Sequence, residues 1–325
     1  MKTRIANWRS LKALGMSSFL SVLLMTATQT FACPPPMPLE VHIDLAQYIV
    51  VGEITQLQDT TVRHGDGVQW GQATVTVRDT LKGNATNAFS FIVATRHFSE
   101  DGAGWCSPPH VYKIGDSGIW VVQPDNFITH GSFGLLSETR TNEVRRILAR
   151  LAHRTWSDAV GGLLAWAGTV HSEYRGHPVI IFAIRNCSDA DILYPVEMSP
   201  GAVTATAVSK EDEAFKYTPM DKSYRERAFC RRISPGQTVY LHPDYSYIDL
   251  ALRLKLPPAV YKVVVTYENS SEGETSRRIA RSADGHRGAS HVPVPSWKGK
   301  LEAPPVDLVL TASESTTNSP AGASK

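Results

Sequence analysis

Eleven histidines and four cysteines are the residues of this 325-residue chain best suited to metal or covalent chemistry. Their spacing builds no such site. No two histidines stand in the His-Glu-x-x-His pattern that puts two imidazoles on one helix face, and no Cys-x-x-Cys offers the paired thiolates of a structural zinc site. His286 and His291 share one stretch without an acidic cluster beside them. There is no Gly-x-Ser-x-Gly elbow, and Gly102-Ala103-Gly104 leads into no helical pattern, so neither nucleophilic hydrolysis nor a phosphate cradle is supported. Cys106, four residues before His110, suggests a thiol nucleophile, but a bridged cysteine explains the same residues more simply. The expectation is no catalytic residue, no metal ligand and no cofactor.

The cysteines make better sense as crosslinks. Residues 1–32 carry Lys2, Arg4, Arg9 and Lys12 and no acid, then a mostly apolar run, then Ala32 before Cys33, the order of a secretory signal peptide. The apolar run is shorter than the roughly 20 residues of a membrane span. A cut after Ala32 makes Cys33 the first residue. Thr30-Phe31-Ala32 lacks the large apolar residue that precedes an acylated cysteine, so membrane attachment is expected only if Cys33 is nevertheless lipidated or the leader is retained. An even count of cysteines in an exported chain favours disulfides. Three connectivities are open; Cys33–Cys106 with Cys187–Cys230 keeps each bridge within one proposed domain.

Without its leader the chain has 29 basic residues against 31 acidic, a net charge of −2. That balance carries no electrostatic footprint for nucleic acid. Arg225, Arg227, Arg231 and Arg232 read as a solvated loop face. The 293 residues left suffice for two domains.

The first domain spans 33–138. Pro34, Pro35, Pro36 and Pro38 force an extended entry, and Leu39–Gln47 suits a short helix. Strands are expected at Tyr48–Ile54, Ala73–Leu81, Phe89–Val93, Gly118–Val122 and Phe133–Leu136, with a loop over 62–71 and a turn at Lys82-Gly83-Asn84. Five short strands with glycine turns fit an OB-like barrel. A helix covers 141–151, where Val144, Ile147, Leu148 and Leu151 fall on one face; it forms a linker, 139–157. From 158 to 311 strands are expected at Gly162–Val170, Val179–Asn186, Val203–Val208, Thr238–Leu241, Ile248–Leu254, Val260–Tyr267, Ser296–Gly299 and Val306–Leu310, the pattern of a β-sandwich. The stretch 268–295 lacks apolar period and is expected to be a mobile loop, and 312–325 a disordered tail. Tyr240, Tyr245 and Tyr247, beside Pro243, suit either a partner surface or the sandwich core.

The order Cys33-Pro34, Val51-Gly52-Glu53-Ile54, Val75-Thr76-Val77 running into Leu81-Lys82-Gly83, Cys106, and Gly115-Asp116-Ser117-Gly118-Ile119-Trp120-Val121-Val122 resembles the netrin-like module of tissue inhibitors of metalloproteinases and its bacterial relatives. The resemblance implies an OB-type fold for 33–138. In those inhibitors the amine and carbonyl of an N-terminal cysteine chelate a protease zinc; Cys33, followed by Pro34, Pro35 and Pro36, is the matching segment, although Pro35 stands where the inhibitors carry a second cysteine. Leu256-Pro257-Pro258-Ala259-Val260-Tyr261 resembles a hairpin of immunoglobulin-like bacterial surface domains, with Ala259 in place of a glycine. The expected function is that of an exported, non-enzymatic protein, secreted or periplasmic, acting through contacts with another protein. The alternatives are a metalloprotease inhibitor using Cys33 and a hydrolase whose site is assembled from distant residues.

Overall fold

The computed structural model describes residues 37–63, 68–97, 110–129, 133–195, 203–218, 230–241, 247–269, 273–278, 289–294 and 296–311. The leader, Cys33, Pro34–Pro36, Cys106 and the tail lie outside them. The fold is mainly β, as expected.

A short helix, α1 (Leu39–Leu45), leads into β1 (Tyr48–Arg63), β2 (Val68–Lys82), β3 (Ala88–His97), β4 (Ser117–Val122) and β5 (Leu135–Leu136). They form one antiparallel, curled half-barrel sheet in the order β3-β2-β1-β4-β5. Register shifts along β1 at Ile49/Val50, Val51/Gly52 and Ile54/Gln56 are where an extra residue sharpens the coil. Gly52 sits at this bend because a Cβ there would lie 2.4 Å from the Thr76 carbonyl, and its own carbonyl accepts the buried Trp120 indole N–H at 3.0 Å. After β4 the chain doubles back. Phe127 pairs parallel with Ile92 of β3 and Ile128 pairs antiparallel with Val122, so β3 is tied by backbone bonds to the segment that follows β4. The strands expected here are all present, but β1 and β2 run through most of the expected loop 62–71.

The helix α2 (Thr141–Ala152) matches its apolar spacing and buries Val144, Ile147 and Leu151. The second half contains β6 (Leu163–Ser172), β7 (His177–Asn186), β8 (Ile192–Pro195), β9 (Val203–Val208), β10 (Ala214–Tyr217), β11 (Cys230–Ile233), β12 (Thr238–Leu241), the helix α3 (Leu250–Leu254), β13 (Val260–Asn269), β14 (Gly273–Arg278), β15 (Ala289–Val294), β16 (Gly299–Glu302) and β17 (Val306–Val309). One sheet is β12-β7-β6; another is β10-β9-β13-β16, with β17 also on β13; β11-β8 and β14-β15 are two-stranded.

Three expectations are corrected. Ile248–Leu254 is not a strand: Asp249 Oδ1 accepts the Leu252 N–H at 3.0 Å, an N-cap that opens α3. Trp297 does not start a strand: it is buried, stacks on Tyr267 at 5.4 Å and donates its indole N–H to Val160 O, and β16 begins at Gly299. The stretch 268–295 includes the β14–β15 ladder, whose backbone pairing needs no apolar period.

The run Val179-Ile180-Ile181-Phe182-Ala183-Ile184 is apolar throughout because β7 is buried on both faces. Ile180, Phe182 and Ile184 pack with Leu163, Val203, Ala205, Val263, Val265 and Tyr267 between the two larger sheets. Val179, Ile181 and Ala183 face the other way, into a core that also holds Val41 and Ile43 of α1, Ile49 and Val51 of β1, Ile119 and Val121 of β4, and Val144 and Ile147 of α2. A third core gathers Val50 and Ile54 of β1, Val75 of β2, Phe91 and Val93 of β3 and Trp120 of β4. The halves on either side of α2 therefore share a core, and Pro35–Lys325 clusters as one compact unit. Tyr240 and Tyr247 belong to that shared core; Tyr245 and Pro243 lie outside the described residues.

A polar knot pins the same junction. Arg154 Nη1 donates to Asp44 Oδ2 at 2.7 Å, and the Tyr240 hydroxyl donates to the same oxygen at 2.7 Å. The guanidinium lies over Trp156 at 4.7 Å and Trp166 at 5.4 Å. Lys82 donates to the Ile43 and Asp44 carbonyls at the end of α1; burial, partly offset by Asp44, holds its pKa below the ordinary lysine value. Burial beside Asp44 pushes the Tyr240 hydroxyl far above its usual range, so it remains a donor.

Candidate binding crevice

Three chain segments meet to form a crevice of about 340 Å³ lined by Met37, Pro38, Leu39, Glu40, Phe133, Glu143, His171, Ser172, Glu173 and Tyr174. The volume falls within the range of small-ligand and side-chain pockets. Each wall has a local cause. Pro38, at φ −57°, is the extended N-cap from which α1 starts, placing Glu40 in the first helical turn. The Ser137 hydroxyl accepts the Thr139 N–H, opening the short 3-10 turn Glu138–Arg140 that leads into α2 and Glu143. The third wall is the β6–β7 turn. Ser172 O accepts the N–H groups of Arg175 and Gly176 at 3.1 and 2.7 Å, Ser172 Oγ lies 3.2 Å from the Arg175 nitrogen, and Gly176 takes the left-handed φ of +72° that closes the turn.

The turn is braced from below. His177 Nε2 lies 2.9 Å from Asp249 Oδ1, Arg175 Nε donates to the Tyr247 hydroxyl at 3.3 Å, and Arg175 Nε stands 3.5 Å from Asp249 Oδ2. That oxygen is buried and makes no hydrogen bond among the described residues. Arg175 also covers one face of Tyr174, 5.3 Å from the ring centroid, and Tyr174 projects at the rim with 62% of its surface exposed.

The carboxylates are held by arginines. Arg140 donates to both oxygens of Glu143, at 2.7 and 3.0 Å, and to Glu173 Oε1 at 2.6 Å. Arg150 donates to Glu40 Oε1 at 2.8 Å. The hydrogen bonds from Arg140 hold Glu143 below the usual carboxylate range, and Glu143 and Glu173 in turn hold the guanidinium above its own. Glu143 is thus a fixed anion, not a proton acceptor near neutrality. Phe133 closes the floor against the His42 ring at 5.1 Å.

Of the residues singled out from the sequence for their chemistry, none among the described residues lines this crevice; Pro38, from the proline-led entry, does. Cys33, Pro34, Pro35, Pro36, Cys106 and His286 lie outside the described residues, as do the side chains of Cys230 and His291. The backbone of Cys230 starts β11 opposite Pro195. Cys187 is an exposed free thiol in this structure, its Sγ donating to the Gly162 carbonyl at 3.2 Å, and it is not bridged there. His110 stands edge-on to Tyr112 at 4.7 Å. Among the described residues, no three His, Cys, Asp or Glu side chains group as a metal site. No helix among them is long and apolar enough to cross a membrane.

Residues 37–40, 133, 143 and 171–174 carry no local motif, and only the shared core brings them together; the one legible hint was the proline-led entry to α1. No protein-family model, no curated protein and no solved structure matches this chain.

Proposed function

We propose that this is an exported, non-enzymatic protein, secreted or periplasmic, that acts by engaging a protein partner at the crevice between α1, α2 and the β6–β7 turn. The observation that carries the reading is the state of the crevice's acids. Glu40, Glu143 and Glu173 are each committed to a guanidinium, which suits a fixed electrostatic surface and not proton transfer. The exposed Tyr174 at the rim adds the amphipathic aromatic surface on which protein contacts concentrate. Export rests on the basic, apolar, small-residue order of 1–32.

The first half is read as an OB-like, netrin-type module, supported by the tie from β3 to Phe127–Ile128 and from there to β4, which would complete a five-stranded ring. The second half is read as an immunoglobulin-like sandwich, supported by its face-to-face sheets and by Tyr261, whose hydroxyl donates to Pro257 O at 2.8 Å in the manner of a tyrosine corner. The netrin-type reading keeps a second function in play, inhibition of a metalloprotease by the Cys33 amine and carbonyl. Sequencing the mature N-terminus decides that case, because a start other than Cys33, or a blocked amine, removes the chelating group.

The partner reading is tested by replacing Tyr174 with a photoreactive phenylalanine in the full chain and irradiating it in the producing cell. A discrete protein adduct is expected there, and none from the same probe at Val309, an exposed position that does not line the crevice. Equal labelling from both positions, or none from either, would dismiss the crevice as the partner site.

A further inference from the structure

Resting on that reading, we propose that the crevice accepts a peptide segment of the partner that inserts a lysine or arginine side chain. Charge is the first argument. Three carboxylates line the cavity, and two of them, Glu143 and Glu173, share a single guanidinium, Arg140, while Arg150 takes Glu40. Glu40 and Glu173 accept only at Oε1, so the second oxygen of each has no donor among the described residues. A free carboxylate oxygen in a partly desolvated cleft favours a charged donor over water. The chain itself already seats one guanidinium, Arg140, between Glu143 and Glu173, so this wall is shaped for that group.

The second argument is independent of the acids. Ser172 lines the same cavity, is only 3% exposed, and uses its Oγ to accept the Arg175 N–H; its own proton has no acceptor among the described residues. A buried hydroxyl proton calls for an acceptor, and a peptide carbonyl arriving beside a basic side chain supplies one. A free polyamine would not. Met37, Leu39, Phe133 and Tyr174 provide the apolar flank along which the methylene stem of lysine or arginine lies.

The test uses the mature full chain and two acetylated, amidated, dye-labelled Gly-Ser peptides, one with a central Lys-Arg pair and one with Gln-Gln. Fluorescence anisotropy is expected to show the Lys-Arg peptide bound at least tenfold more tightly, with the gap narrowing as salt is raised. Glu173→Gln and Ser172→Ala should each weaken it by about tenfold, the loss of one strong hydrogen bond, with melting temperatures checked in parallel. Glu173 is half-exposed, so the Gln variant keeps the test valid if the serine variant does not fold. Equal affinity for the two peptides, or indifference to both substitutions, overturns the inference; so does spermidine competing as well as the Lys-Arg peptide. If the Tyr174 adduct forms but ignores Glu173→Gln, this inference fails while the partner reading stands.

Discussion

Replacing Arg154 by methionine probes the junction between the halves most directly. The Arg154 and Asp44 side chains are 12% and 11% exposed, so this is a desolvated pair and not a surface one. Without the guanidinium, Asp44 keeps the Tyr240 hydroxyl as its remaining side-chain donor in this cluster. Leaving one partner of a buried pair uncompensated costs about 3–5 kcal/mol, and the lost stacking on Trp156 and Trp166 adds up to about 2 kcal/mol, part of it returned by methionine packing on the same rings. A net loss of about 3 kcal/mol should lower Tm by about 6 °C, taking the shallow slope appropriate to a long chain. Far-ultraviolet circular dichroism and tryptophan fluorescence should give coincident transitions, because the halves share a core. Arg154→Met combined with Asp44→Asn should recover part of the loss, since no carboxylate is then stranded and Lys82 keeps the Ile43 and Asp44 carbonyls as acceptors. The reasoning is refuted if the double variant is no more stable than Arg154→Met, or if the unaltered protein unfolds in two separated steps.

Tyr112 is buried against Trp120, and burial with Asp116 nearby pushes its pKa up to about 12 from the model-peptide value of 10.0. A pKa raised on folding contributes stability that is whole below pH 10 and drains away as pH climbs towards 12, about 3 kcal/mol in all; urea titrations across that window should show the decline, and Tyr112→Phe should flatten it. Gly83→Ala should destabilise by about 1–3 kcal/mol, because φ is +81° and a Cβ would stand 2.6 Å from the Tyr48 ring and 2.7 Å from Gln47 O; chemical denaturation measures it. Tyr261→Phe should cost about 1 kcal/mol through the hydrogen bond to Pro257 O, seen as a lower denaturation midpoint at unchanged slope. Non-reducing peptide mapping of exported protein should recover Cys33 linked to Cys106 and Cys187 as a free thiol, as it stands in this structure; a peptide joining Cys187 to Cys230 would overturn that.

Much of the scaffold was readable from the chain because burial writes itself into residue type. The unbroken apolar run of β7 reflects a strand covered on both faces, and the three-four spacing of Val144, Ile147, Leu148 and Leu151 reflects a helix covered on one. Asp249 was the missed helix signal, a capping residue hidden by the apolar stretch around it. The β14–β15 ladder left no trace because its pairing is made by the backbone. The crevice was illegible for a different reason: Glu40, Glu143, Ser172 and Glu173 are ordinary in their own segments, and their meaning comes from the contact of α1 and α2 with the β6–β7 hairpin.

The double-sided β7 limits how this chain can be divided. Cut out at residue 158, the second half would turn Trp166, Val170, Val179, Ile181 and Ala183 towards water as one contiguous oily face, the sort of patch that drives aggregation. Neither half can then be exchanged freely among other proteins by recombination. Any swap has to carry the matching surface of its neighbour along with it.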